Sequence, residues 1–303
     1  MSMRYLRFLT WVLLVVFGVT TASAHDAPAD LSGIHIRGAW ARATAYEPAA
    51  DMEVLPGTSS AAYMTIENTG ETDLTLTHVT TDISADVMLH NTTMDADGVM
   101  RMSMMDEGVR IPAGESFTFE QMGPHIMMMD VTRDLFPGDA ITLALHFVDD
   151  TAHTAELLIG VPILEFMPDP SDLAVTQIHF HEAMGDDEPT VMLIVENSAA
   201  ESDRLIEIVP IAPVSPAAAF AAMPAWEAVP VDADPIAAGQ RGAVSTSALN
   251  DLLAALQEAL PGAALALDLR FESGAVLRIA VPTALHGLAG EPADHSDHGS
   301  HSG

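Results

Sequence analysis

Ala61-Ala62-Tyr63-Met64-Thr65-Ile66-Glu67-Asn68-Thr69-Gly70 reads as a strand that runs into a tight turn. Aromatic and β-branched residues supply the strand, and Asn-Thr-Gly supplies the turn that stops it. The second half of the chain returns to the same text as Val191-Met192-Leu193-Ile194-Val195-Glu196-Asn197-Ser198, with Glu201 and Asp203 standing where Glu71 and Asp73 stand. The turn Ile111-Pro112-Ala113-Gly114 has a counterpart in Pro235-Ile236-Ala237-Ala238-Gly239, and Phe136-Pro137-Gly138-Asp139 has one in Leu260-Pro261-Gly262-Ala263. Each half closes on Val-Pro, at Val161-Pro162 and at Val281-Pro282. One fold written twice is the expectation.

Outward from Ala61, short alternating segments follow one another at Ile34 to Thr44, Leu74 to Thr80, Asp86 to His90, Val99 to Met104, Ser116 to Glu120, His125 to Val131, Ala140 to Val148 and His153 to Ile159. In Leu74 to Thr80 the alternation puts Leu74, Leu76 and His78 on one face. Many short strands separated by turns argue for antiparallel sandwiches. Leu249, Leu252, Leu253, Leu256 and Leu260 keep helical spacing, so one short helix is expected at Ser247 to Leu260. The fold class is therefore all-β, two tandem antiparallel β-sandwich domains, the second with a short helix. The first domain spans residues 25–165 and the second 171–286, with the boundary at Pro168-Asp169-Pro170.

The ends of the chain read differently. Residues 1–24 have the pattern of a secretory signal: Arg4 and Arg7, an apolar run from Trp11 to Val19, and Ala22-Ser23-Ala24 as a cleavage site. The apolar run is short for a membrane span, so no span is expected after cleavage. A lipid-anchored form is not expected, because no cysteine stands at the cleavage site. Cleavage would expose His25, whose amine and ring can chelate Cu(II). Residues 287–303 hold His295, His298 and His301 among Asp, Ser and Gly, and are expected to be a disordered tail. Its N and O donors suit Cu(II).

Of the 303 residues, 43 are acidic and 11 basic, every basic one an arginine. A chain this acidic repels nucleic acid and anionic membrane surfaces. It contains no cysteine, which excludes disulfides, zinc–thiolate sites and iron–sulfur clusters. Methionine is then the soft ligand available, and it suits an oxidising compartment. Neither a phosphate-binding glycine loop, nor a serine nucleophile elbow, nor a zinc-protease helix motif occurs.

The chemistry gathers between Met88 and Met129, which hold ten of the 18 methionines together with His90 and His125. Residues two apart on a strand share a face. Met88 with His90, then Met100, Met102 and Met104, then His125, Met127 and Met129 form three same-face sets. Thioether sulfur and imidazole nitrogen together suit Cu(I). Methionine also serves as core filler, but flanking histidines and a period of two favour ligation. The second half lacks this signal: Pro216-Ala217-Ala218-Ala219-Phe220 stands where Met88 and His90 would be. Its own same-face pair, His179 and His181, is as easily two surface residues.

Five segments, Ala39-Trp40-Ala41-Arg42-Ala43-Thr44, Ala61 to Asn68, Gly98-Val99-Met100-Arg101-Met102, Ile111-Pro112-Ala113-Gly114 and His125-Ile126-Met127-Met128-Met129, together resemble the PCu(A)C periplasmic copper chaperones over residues 34–161. The resemblance implies cupredoxin-like sandwiches and a Cu(I) site of two histidines and two methionines. It also implies copper delivery to the CuA centre of cytochrome c oxidase, with its subunit II as recipient. Carried over, the ligands are His90, Met102, His125 and Met127. The family's spacing, counted from His90, falls on Arg101, which is no ligand; alignment on Gly98 to Met102 selects Met102. Met88, Met100, Met104 and Met129 are possible additional ligands, and the tail histidines a Cu(II) site. The expected function is a periplasmic copper metallochaperone with no catalytic turnover. The alternatives are a copper oxidase or monooxygenase pairing His25 with His35, and an acidic surface-binding module without metal.

Overall fold

The computed structural model describes residues 28–46, 55, 57–181, 190–212, 227–245, 247, 249–251 and 264–282. The signal segment, His25, Pro216 to Phe220, the side chain of His181 and the tail histidines lie outside the described residues. So does most of the expected helix, of which residues 247 and 249–251 are described and are helical.

Ten strands build the first unit. They are β1 (Ile34–Arg42), β2 (Ser60–Asn68), β3 (Leu74–Thr81), β4 (Asp86–Met94), β5 (Met100–Met104), β6 (Val109–Ile111), β7 (Ser116–Phe119), β8 (Pro124–Met129), β9 (Ala140–Asp149) and β10 (Thr154–Leu164). One sheet runs β5-β4-β8-β2-β1, with β7 also paired to β2; the other joins β6, β3, β9 and β10. The two sheets close against each other along one side, where β1 meets β10 in parallel at Ala41↔Ile163 and Arg42↔Leu164. Between them lies one apolar core, with Ile66, Leu76, Ile111, Ile126, Met128 and Leu145 fully buried.

The second unit comprises β11 (Leu173–His181), β12 (Thr190–Asn197), β13 (Leu205–Pro210), β14 (Val229–Pro230), β15 (Gln240–Val244), β16 (Ala264–Phe271) and β17 (Val276–Pro282). Sheet β11-β12-β15 covers sheet β14-β13-β16-β17 around a separate core that includes Leu193, Val195, Leu205 and Leu267. The fold is thus two antiparallel β-sandwiches in tandem. The second sheets of the two units join edge to edge, where β10 pairs β17 at Gly160↔Ala280. A Cβ on Gly160 would lie 2.4 Å from the Ala280 carbonyl oxygen, so this junction needs glycine.

The strand and turn from Ala61 to Gly70 decide much of this. Asn68 Nδ2 donates to the carbonyls of Thr72 and Ile111, and its Oδ1 accepts from Gly70 N. Asn197 repeats the pattern, donating to the carbonyls of Glu201 and Ile236 and accepting from Ala199 N. Thr69 and Ser198 each donate through their hydroxyls to the segment leading into the preceding, paired strand, at the carbonyls of Gly33 and Asp172. Both asparagines are buried, and each ties its turn to backbone carbonyls of the neighbouring segments.

One alternation is overturned. Leu74 and Leu76 are buried, but a bulge between Leu76 and His78 shifts the register on β9. Such an extra residue turns the following side chains to the opposite face. His78 therefore points outward and Val79 fills the core.

Candidate metal centre

The site is assembled by one three-stranded ladder, β5-β4-β8. His90 on β4 pairs with His125 on β8 and with Met104 on β5. Directly opposed residues on antiparallel strands project to the same face, so His125, His90 and Met104 form one row. Met127 and Met88 oppose each other in the neighbouring row on β8 and β4. Met129 opposes Asp86 one step further. The intervening residues Leu89, Ile126 and Met128 are buried in the core. The His and Met side chains thus share the face turned away from that core, as the period of two required.

Among the three β5 methionines, register separates roles. Met104 is the cross-strand partner of His90, Met102 opposes Thr92, and Met100 opposes Met94. Met102, expected as a ligand, is therefore a diagonal neighbour of His90. Two of the ten methionines in this stretch are packing residues: Met128 is fully buried, and Met105 packs on the core.

The two rings are set differently. His125 is buried, and its Nδ1 lies 3.0 Å from the Gly123 carbonyl oxygen. A carbonyl only accepts, so Nδ1 carries the proton and the neutral ring presents an Nε2 lone pair. The same carbonyl accepts from Thr92 N, tying the β8 turn to β4. His90 meets His125 edge to face, with ring centroids 5.8 Å apart. Its Nδ1 is the one buried side-chain nitrogen or oxygen among the described residues with no hydrogen-bond partner. Leaving such an atom unpaired costs about 1–3 kcal/mol; an electrophilic ion would remove that cost. Burial, and then the neighbouring His125, holds His90 below the ordinary imidazole pKa, which keeps it neutral and able to ligate.

On the β2 side, Met127 packs against Trp40, Ala61 and Tyr63, whose aromatic rings lie 4.7 Å apart. On the β5 side the face is open: Met102 and Met104 are each 55% exposed. The donor row therefore runs from an apolar wall to solvent. Among the described residues no three His, Asp or Glu side chains gather as a metal group; the donors here are two imidazoles and thioethers. A groove of about 1100 Å³ follows β1 and β10 toward the second unit, with Trp40 and Tyr63 in its wall, but neither His90 nor His125 lines it.

Other histidines are engaged elsewhere. His35, buried between the units, accepts from Arg241 Nη1 at 3.1 Å through Nε2, so its Nδ1 donates to Thr176 Oγ1 at 3.3 Å. Neither ring nitrogen is left for a copper brace with His25. His179 donates through Nε2 to Gln177, whose amide holds the Ser32 and Ile34 carbonyls. Around His35, Arg37 and Arg241 each pair with both Glu67 and Glu196. This four-charge ring escaped the sequence reading, although Glu67 and Glu196 occupy matching positions in the repeated text.

The family described as "Putative lipoprotein LpqE-like" matches residues 34–159. "Putative lipoprotein Lxx21020" of Leifsonia xyli subsp. xyli is 27% identical over 163 residues, covering 52% of this chain and 89% of that protein. Among solved structures, the copper-bound PCuAC domain from PmoF2 is 17% identical over 46% of this chain and 97% of its own, with a TM-score of 0.31. Apo-DR1885 from Deinococcus radiodurans is 22% identical over 55% of this chain and 98% of its own, with a TM-score of 0.32. Among the described residues no helix is long and apolar enough to cross a membrane.

Proposed function

We propose that the first unit is an extracytoplasmic, non-catalytic carrier of Cu(I), periplasmic in location, with His90, His125, Met127 and a β5 methionine as ligands. The observation that carries the reading is the row His125–His90–Met104, with an unpartnered Nδ1 on His90 and a carbonyl-oriented ring on His125. The register favours Met104 as the fourth donor, with Met102 the diagonal alternative. Neutral thioethers bind Cu(I) without competing protons, and they hold it less tightly than thiolates. That balance suits a protein which must surrender its cargo. The open β5 side is the natural exit, toward a copper-accepting protein such as cytochrome c oxidase subunit II and its CuA centre. The second unit repeats the turns of the first without the His/Met runs, and we assign it a supporting role. The tail histidines are proposed to capture Cu(II) separately.

The test is Cu(I) affinity of the full chain, measured by competition with a chromophoric chelator. His125→Ala with Met127→Ala should weaken the tight site by about 100-fold or more. Undiminished affinity in that variant would sink the reading. Met104→Leu should weaken it more than Met102→Leu; the reverse order would return the fourth position to Met102.

A further inference from the structure

Three methionines near the tip of the β4–β5 hairpin belong neither to the core nor to the histidine row. Met94 and Met100 are direct cross-strand partners, and Met102 is the next same-face residue on β5. They are 64%, 39% and 55% exposed. Full burial of such a side chain contributes about 1.5–3 kcal/mol, and roughly half of that is forgone across the three positions. Stability does not explain the cluster.

Its register is fixed from behind. Asp95 Oδ1 accepts from the backbone N–H of Asp97 and Val99, and Arg101 Nε donates to Asp95 Oδ2 at 2.9 Å. Arg101 and Ser103 alternate with the methionines and occupy the opposite face of β5. Opposed Cβ atoms on such a ladder are about 5 Å apart and diagonal ones about 7–8 Å. Flexible thioether arms start well within reach of one ion. Along β4, the residue that separates Met94 from His90 on this face is Thr92, which carries no charge and opposes Met102. Met100 stands about 13 Å along the strand from Met104, with Met102 midway.

We propose that Met94, Met100 and Met102 form a second, weaker soft-metal site, an all-thioether station for a monovalent ion of the Cu(I) class. From it the ion passes to the His90 row by exchange of Met102 for Met104. The step is ligand exchange alone, and no electron or proton moves. The inference rests on the copper reading above for the inner site, but its test separates the two.

The experiment uses the full chain with ¹³C-methyl methionine, titrated with Ag(I), which shares the charge and softness of Cu(I). The first equivalent should shift the Met104 and Met127 methyls, and the second should shift Met94, Met100 and Met102 together. Met94→Leu with Met100→Leu should abolish the second event and leave the first unchanged. His90→Ala with His125→Ala should abolish the first and leave the second. Unmoved methyls at Met94, Met100 and Met102, or their movement with the first equivalent, would overturn the hairpin site while leaving the inner one. Movement of the hairpin methyls alone would sink the inner-site reading instead. Binding of Ag(I) at tail histidines moves none of these methyls, and that result alone would also overturn the proposal.

Discussion

His90 and His125 meet across two strands with unlike preparation. The Gly123 carbonyl fixes the tautomer of His125, while His90 leaves a buried nitrogen without a partner. A ring must be neutral to ligate a metal, and His90 is held below the ordinary imidazole value, first by burial and then by His125. Protons should therefore compete with the ion only when pH falls below the usual histidine range of about 6.5. The His90 ring resonances, followed by NMR in the metal-free chain from pH 8 down to 5, should keep their neutral positions through about pH 6.5 and move beneath it. A midpoint at or above pH 6.5 would contradict the assigned role of His90.

At the scale of elements, the β4–β5 hairpin is the piece on which the site depends. Asp95→Ala removes the side-chain acceptor of two backbone N–H groups and the Arg101 pair, and should loosen the hairpin locally. Amide exchange should accelerate in residues 92–102, with core strands unchanged; uniform acceleration would argue that Asp95 supports the whole fold. The face-sharing of His90, His125 and the methionines was legible because a period of two is a property of the strand alone. Which β5 methionine opposes His90 was not, because that depends on the length of the Asp95 to Val99 loop and the pairing it enforces. Thr77 shows the same limit: its bulge reverses His78, and nothing in Leu74 to Thr80 announces an extra residue. The Asn68 and Asn197 turns were readable for the opposite reason, since their chemistry is local. Asn68→Ala should remove three buried-turn hydrogen bonds and cost about 3 kcal/mol, while Asn197→Ala should remove the matching three in the other unit. Near pH 5, where the units should unfold separately, calorimetry should show each variant lowering a different transition; identical profiles there would deny the two cores their independence.

For the whole molecule, the question is what keeps two cores in one orientation. The Gly160–Ala280 junction and the Arg37, Glu67, Glu196, Arg241 ring lie on facing parts of the two units. His35 is held below its usual pKa, mainly by burial and then by Arg241. Its neutral form is the one that accepts from Arg241, so its contribution is present above the ordinary histidine pKa and is lost as pH falls through the lowered, folded value. Coupled unfolding at pH 7.5 should separate into two transitions near pH 5; a single transition at both would remove His35 from the interface. Gly160→Leu should separate the units at every pH, leaving Cu(I) affinity of the first within about twofold. Loss of the tight site in that variant would mean that the second unit helps to build it.

X-ray absorption at the copper edge reads the atoms around the ion directly. With one equivalent of Cu(I) on the full chain, the edge should report a mixed shell of two imidazole nitrogens and two thioether sulfurs, losing sulfur in Met127→Ala. A shell of nitrogen and oxygen alone would contradict that ligand set.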